Sequence, residues 1–148
     1  MQEIKNVLDG VSSLVTILGL PLLIWSLSLL VRQLRVQAYQ AIYESILSID
    51  QFMIEHSEVK PYITNGQIIP DDDPVFKEKV MGSVEMLATF FEHITAQKFW
   101  MEESKWGGWK SYMQDVYKNS PAMRDYLHNN AHWHTKELIT LLQVKGKK

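Results

Sequence analysis

No charged side chain occurs between Gly10 and Val31, and that gap decides what the chain can fold into. The 22 residues are dominated by Leu, Ile and Val. Wound as a helix at about 1.5 Å per residue they reach roughly 33 Å, enough to cross a hydrocarbon core of about 30 Å. The rival is a cleaved signal peptide, which needs a basic leader, an apolar stretch of about 7–15 residues and a small-x-small cleavage site. Here Lys5 is set against Glu3 and Asp9, and Arg32-Gln33-Leu34-Arg35 stands where cleavage would fall. The segment reads as a retained single-pass anchor. Arg32 and Arg35 outweigh Lys5, so the positive-inside rule puts residues 32–148 in the cytoplasm and residues 1–9 outside. The same two arginines are expected to contact lipid headgroups.

Within the span, Ser12, Thr16, Gly19, Leu23, Ser26 and Leu30 follow one another at 4-3-4-3-4 spacing. That puts small or hydroxylated side chains on one helix face, where neighbouring transmembrane helices approach closely. The bland reading is that the hydroxyls bond their own helix. The spacing continues beyond the membrane through Gln33, Gln37, Gln40 and Glu44, which favours one continuous helix that self-associates along its length. In a large ring the same face would line a weakly polar pore. Pro21, in mid-span, removes a backbone donor and is expected to kink the helix near Ile17 and Gly19.

No Pro or Gly interrupts residues 32–58, and Leu34, Ala38, Ile42, Ser45, Ile49 and Phe52 or Met53 recur at helical spacing. The spacing predicts an amphipathic stalk over 32–60, ended by Pro61. Three prolines, Asn65-Gly66 and Asp71-Asp72-Asp73 make 61–73 a loop, with a helical turn near Lys60 to Thr64. The aspartates lack the alternating positions and distal Glu of a calcium loop; Asp73 reads as an N-cap with Pro74 at N1. A helix follows from Pro74 to about Glu103 on Phe76, Val80, Val84, Leu87, Phe91, Ile94 and Lys98. Gly107-Gly108 is expected to break the chain before a helix from Trp109 to Tyr117. Ser120-Pro121 repeats the cap-then-proline signal, and a last helix starts near Thr135, expected to cap it. Lys145, Lys147 and Lys148 form a basic tail.

No stretch alternates with period two. The expected architecture is all-α: a transmembrane helix over 10–31 continuing into a small antiparallel cytoplasmic bundle, in which the stalk completes helices of residues 74–144.

Chemistry is sparse. With no cysteine there is no thiol nucleophile and no cysteine-ligated metal. A formal charge of −2, from 15 basic and 17 acidic residues, gives no attraction for nucleic acid. His128 and His132 stand four apart, as in many zinc sites, but Asn129-Asn130 ends helices and no His-Glu-x-x-His pattern is present, so structural histidines are preferred. Arg124 lies near both, with spacings that miss those of helical RNA-cleaving domains. Glu78, Glu85 and Glu92 line up seven apart without the Glu-x-x-His of a dimetal site, and read as a solvated or interface stripe. Phe99, Trp100, Trp106, Trp109, Tyr112 and Trp133 are expected in the core. No cofactor is expected, and the chain does not read as an enzyme.

The long Gln-rich continuation of the span, Phe90-Phe91-Glu92-His93, Gly107-Gly108-Trp109, Asn119-Ser120-Pro121 and the late His132-Trp133 together resemble an uncharacterised bacterial family of single-span membrane proteins with a small helical cytoplasmic domain. The resemblance covers most of the chain. It implies a fold and a place in the bacterial inner membrane, and transfers no catalytic residue. Similar architecture occurs in membrane accessory proteins of bacterial antiviral defence that assemble into rings, a likeness of architecture only. The leading expectation is a membrane-anchored, self-associating interaction or scaffold protein, partnered by lipids, by its own copies and by another membrane protein. The alternative is a homo-oligomeric channel; a metal-dependent or RNA-cleaving enzyme comes last.

Overall fold

Helical hydrogen bonding accounts for every regular element of the computed structural model, which describes the backbone of residues 2–144 and the side chains of residues 19–144. The basic tail lies outside the described residues, as do the side chains of Ser12 and Thr16. Among the described residues six α-helices follow in order: α1 Gln2–Glu55, α2 Lys60–Thr64, α3 Pro74–Ala96, α4 Glu103–Asn119, α5 Pro121–Asn130 and α6 Lys136–Leu142. Two 3₁₀ turns, Lys98–Trp100 and Ala131–Trp133, join α3 to α4 and α5 to α6. The described residues contain no strand.

The chain divides into two units, Met1–Gln37 and Ala38–Lys148. In the first, the helix is continuous through Pro21. Leu20, Leu22, Leu23, Ile24, Trp25 and Leu27 are all exposed, with no protein against them. This helix is long and apolar enough to cross a membrane.

The second unit is built around α3. Its face Val80, Val84, Leu87, Phe91 and Ile94 is buried, as the spacing predicts. Against it lie Ile63 of α2, Met113 of α4, Met123 and Leu127 of α5, and Leu138 of α6, all fully buried. Helix α3 packs on α2, α5 and α6, while α4 packs on the same three. The C-terminal part of α1 joins this core through Ile42 and Ile49, with Phe52 and Met53 half-buried beside them, and Ala38 on the same side is buried as well. Leu34 remains exposed.

Two helix starts follow the cap-then-proline rule. The Asp73 carboxylate accepts from the Phe76 amide at 2.8 Å, with Pro74 at the first position. The Ser120 hydroxyl, fully buried, accepts from the Met123 amide at 3.1 Å and donates to the Tyr62 carbonyl at 3.1 Å. One side chain thus starts α5 and ties α2 to it. Between α2 and α3 the chain turns at Gly66, whose φ of +72° suits glycine and where a Cβ would sit 3.0 Å from the Asn119 carbonyl oxygen.

Two expected boundaries move. Helix α3 stops at Ala96 instead of Glu103, and α4 begins at Glu103 and runs straight through Gly107-Gly108. The break falls where Met101 and Glu102 are extended. It is held by tertiary contacts: the Glu102 amide donates to the Tyr39 hydroxyl at 3.3 Å, and the Lys105 ammonium lies 4.4 Å from the centre of the Tyr39 ring. Glycine costs a helix about 1 kcal/mol per residue relative to alanine, which flanking Trp106 and Trp109, both packed on the core, offset here. Thr135 takes the N-cap position of α6 but makes no side-chain cap bond.

Replacing Ser120 by Ala removes a cap acceptor and leaves the Tyr62 carbonyl unpaired. The expected cost is about 1–3 kcal/mol, read as a lower urea midpoint of the detergent-solubilised chain with helicity in water unchanged.

Candidate functional site

A polar contact between distant parts of the chain links α3 to the start of α6. Glu92 Oε1 accepts from the Thr135 amide at 2.6 Å, and Oε2 lies 3.2 Å from His134 Nδ1. An ionised carboxylate only accepts, so Nδ1 carries the proton of that bond. The His134 side chain is 4 % exposed, its ring meets Tyr126 edge-on at 5.7 Å, and its Nε2 is buried without a partner. Burial of the Glu92 carboxyl works against its ionised form, but the bonds from Thr135 and His134 outweigh this and lower its pKa. The missing side-chain cap at Thr135 is explained here: its hydroxyl, like its amide, is bonded to Glu92. The expected solvated stripe therefore holds at Glu78 and Glu85, both exposed, and fails at Glu92. Burial, joined by the charges of Glu85 and Glu92, pushes the Tyr126 hydroxyl up. The geometry is that of a tie between helices.

The histidines of the sequence pattern separate. His128 belongs to α5, whereas His132 lies beyond its end in the 3₁₀ turn, stacked edge-on against Trp133 at 5.5 Å. Among the described residues no three His, Asp or Glu side chains converge as a metal site. The Arg124 guanidinium donates to the Tyr117 carbonyl at 3.4 Å and to the Lys118 carbonyl, which closes the C-terminal end of α4.

A cleft of about 310 Å³ opens beside α1 and α2. Its floor is Ile49, Met53, Ile63 and Leu87, and Asp50, Lys60, Thr64 and Tyr112 bring polar atoms to it. Burial, with the Asp50 charge added, pushes the Tyr112 phenol up. The aromatic group divides in two: Phe90, Trp109, Phe91 and Tyr112 form edge-on pairs near 6 Å, whereas Phe99 and Trp133 face outwards.

The residues expected to form an association face lie on α1. Gly19, Leu23 and Ser26 are exposed, as are Gln33, Gln37 and Gln40, and Arg32 and Arg35 are exposed beside them in sequence. A Cβ at Gly19 would meet nothing within 4 Å. Ser26 donates its hydroxyl to the Leu22 carbonyl at 2.8 Å, and Ser28 donates to that of Trp25 at 2.7 Å, so both bond their own helix. The row does not end at the glutamines. Ser12, Gly19, Ser26, Gln33, Gln40, Leu47 and Ile54 recur every seven residues, and each member from Gly19 onwards is exposed. The part at Leu47 and Ile54 is legible in the sequence as the same seven-residue step, but is hidden there by the better apolar row Ala38, Ile42 and Ile49.

Compared with protein families, with curated proteins and with solved structures, the chain finds no match.

The Glu92 carboxyl has a lowered pKa in the folded state, so its stabilising effect is complete above the ordinary carboxylate value of about 4.3 and is lost as pH falls through the lower folded value. Urea midpoints measured for the solubilised chain between neutral pH and about pH 3 should fall at the acid end. Glu92→Gln should lower the neutral midpoint and flatten that acid decline. An unchanged decline would place the acid sensitivity elsewhere.

Proposed function

We propose that this protein is a membrane-anchored, self-associating interaction or scaffold protein, whose α1 crosses the bilayer once and carries a cytoplasmic helical bundle of antiparallel design. The bundle faces the cytoplasm because Arg32 and Arg35 follow the span, and the same arginines meet anionic headgroups. Its partners are lipids, its own copies and another membrane protein, and it performs no catalysis.

One observation carries the reading: a strict seven-residue row on α1 is exposed at every described position. Such a repeat keeps one face towards a partner only when helices coil round each other left-handedly. Towards the end of α1 the row is apolar. Leu47 and Ile54 are 65 % and 77 % exposed, with Tyr43 at 65 % beside them, on a helix whose opposite side is already core. Large apolar side chains left so open on one face of a packed helix mark an interaction surface. Closer to the N-terminus the row turns to Gln33 and Gln40, whose amides bond across an axis, and to Gly19 and Ser26, which allow close approach in lipid.

The test is the oligomeric mass of the full-length protein in native nanodiscs. Leu47→Glu, Ile54→Glu and Gly19→Leu should each reduce a multiple of the chain mass towards the single chain. Helicity should be retained, since none of the three positions is buried. A wild-type mass equal to one chain, or a multiple unmoved by all three substitutions, overturns self-association along α1. A single chain bound to a different protein makes it an accessory subunit.

A further inference from the structure

The cleft of about 310 Å³ beside α1 and α2 belongs entirely to the second unit, and opposite charges line it: the Asp50 carboxylate from α1 and the Lys60 ammonium from α2. Among the described residues neither is in an ion pair, with the other or with any third group. The Tyr112 phenol lines the same space, and among those residues its hydroxyl has no hydrogen-bond partner. It is close enough to Asp50 for that charge to add to burial in raising its pKa, so at neutral pH it keeps its proton and has lone pairs free to accept. Between these polar groups lies an apolar floor, on which Ile63 and Leu87 are 0 % and 2 % exposed.

We propose that this cleft binds a small zwitterion with an apolar body, the chemistry of a free apolar amino acid. The ammonium of the ligand meets Asp50, with the Tyr112 oxygen as a second acceptor, its carboxylate meets Lys60, and its side chain covers the floor. Charge selects this class. A lone cation in the cleft meets Lys60 as a like charge, and a lone anion meets Asp50 as one. A neutral apolar molecule takes water from both charges and returns no partner to either. A zwitterion gives each its opposite, through hydrogen bonds about twice as strong as those between neutral groups. Size points the same way. Ligand pockets span about 300–1,000 Å³, and this one stands at the small end, with room for a molecule the size of leucine or phenylalanine and none for a large cofactor. The inference does not depend on the path of α1 through a membrane, because every lining residue lies in the second unit.

Saturation-transfer NMR on the full-length protein in nanodiscs, with empty nanodiscs as the blank, tests this with leucine and phenylalanine. Three comparison ligands each lack one part: isoamylamine has no carboxylate, isocaproate has no ammonium and glycine has no apolar body. The expected result is saturable binding of leucine or phenylalanine with a Kd of about 10 µM to 1 mM, as suits so small a ligand in an open site. The three comparison ligands should bind at least about tenfold more weakly. Asp50→Asn and Lys60→Gln should each weaken the amino acid by about tenfold, since each removes a charged partner. Both side chains are exposed, so helicity should be unchanged in either variant. Absence of saturable binding of both amino acids up to about 10 mM overturns the proposal. Binding of the amine or the acid as tight as that of leucine also overturns it, because only one charge is then recognised. Binding that survives either substitution unweakened places the ligand elsewhere and has the same consequence.

Discussion

The packing of one face of α3 is what the second unit depends on. Val80, Val84, Leu87, Phe91 and Ile94 form a single buried stripe, and α2, α5, α6 and the end of α1 each place an apolar side chain on it or next to it. None of the shorter helices would persist alone, because helices under about 12–15 residues are marginal in water. Helices α2, α5 and α6 have 5, 10 and 7 residues and are stable only as parts of this core. The polar ties act at its margins. Ser120 fixes α5 to α2, and Glu92 fixes the start of α6, so the two shortest helices each have a side chain from elsewhere, or one shared with a neighbour, to hold their position.

That dependence explains what the sequence could and could not tell. Features set by a few neighbouring residues were legible: the Asp73 and Ser120 caps before proline, the uninterrupted run from the apolar stretch into the stalk, the turn at Lys60 to Thr64, and the buried face of α3. Features set by distant partners were not. Local propensity puts a break at Gly107-Gly108, yet the chain breaks at Met101 and Glu102, where no residue signals it, because Tyr39 captures the Glu102 amide from 63 positions away. Glu92 reads as one member of a surface stripe, and only the arrival of His134 and Thr135 makes it a tie. Phe99 reads as core because phenylalanine usually is; nothing in its neighbours shows that the turn would aim it outwards. For the association face, the part at Gly19, Ser26, Gln33 and Gln40 was visible in the spacing. Its extension to Leu47 and Ile54 required knowing which of two apolar rows the core had used.

Those two rows are the key to α1. Between Ala38 and Glu55 the helix has a filled side, Ala38, Ile42 and Ile49, and an open one, Tyr43, Leu47 and Ile54. A helix that only completed a bundle would carry polar residues on the second side. Asp50 and Gln51 do interrupt it, and Gln51 is turned to its own helix by a bond to Glu55 at 3.0 Å. The open row is thus short and mixed, the kind of surface that adds to an association begun elsewhere.

The chemistry of the seven-residue row fits the surroundings proposed for each part of it. Inside a bilayer, burying leucine against leucine gains little, since lipid is as apolar as the partner; close approach at Gly19 and Ser26 is what can hold two helices together there. Beside and beyond the arginines, amides at Gln33 and Gln40 suit a polar, crowded axis. Further on, in water, removing apolar surface becomes the main driving force, and the row changes to Leu47 and Ile54. A row kept only for solubility would have no reason to change from small to amide to aliphatic at a constant spacing of seven. A row that meets the same row on another copy, first in lipid and then in water, would be expected to change in that order.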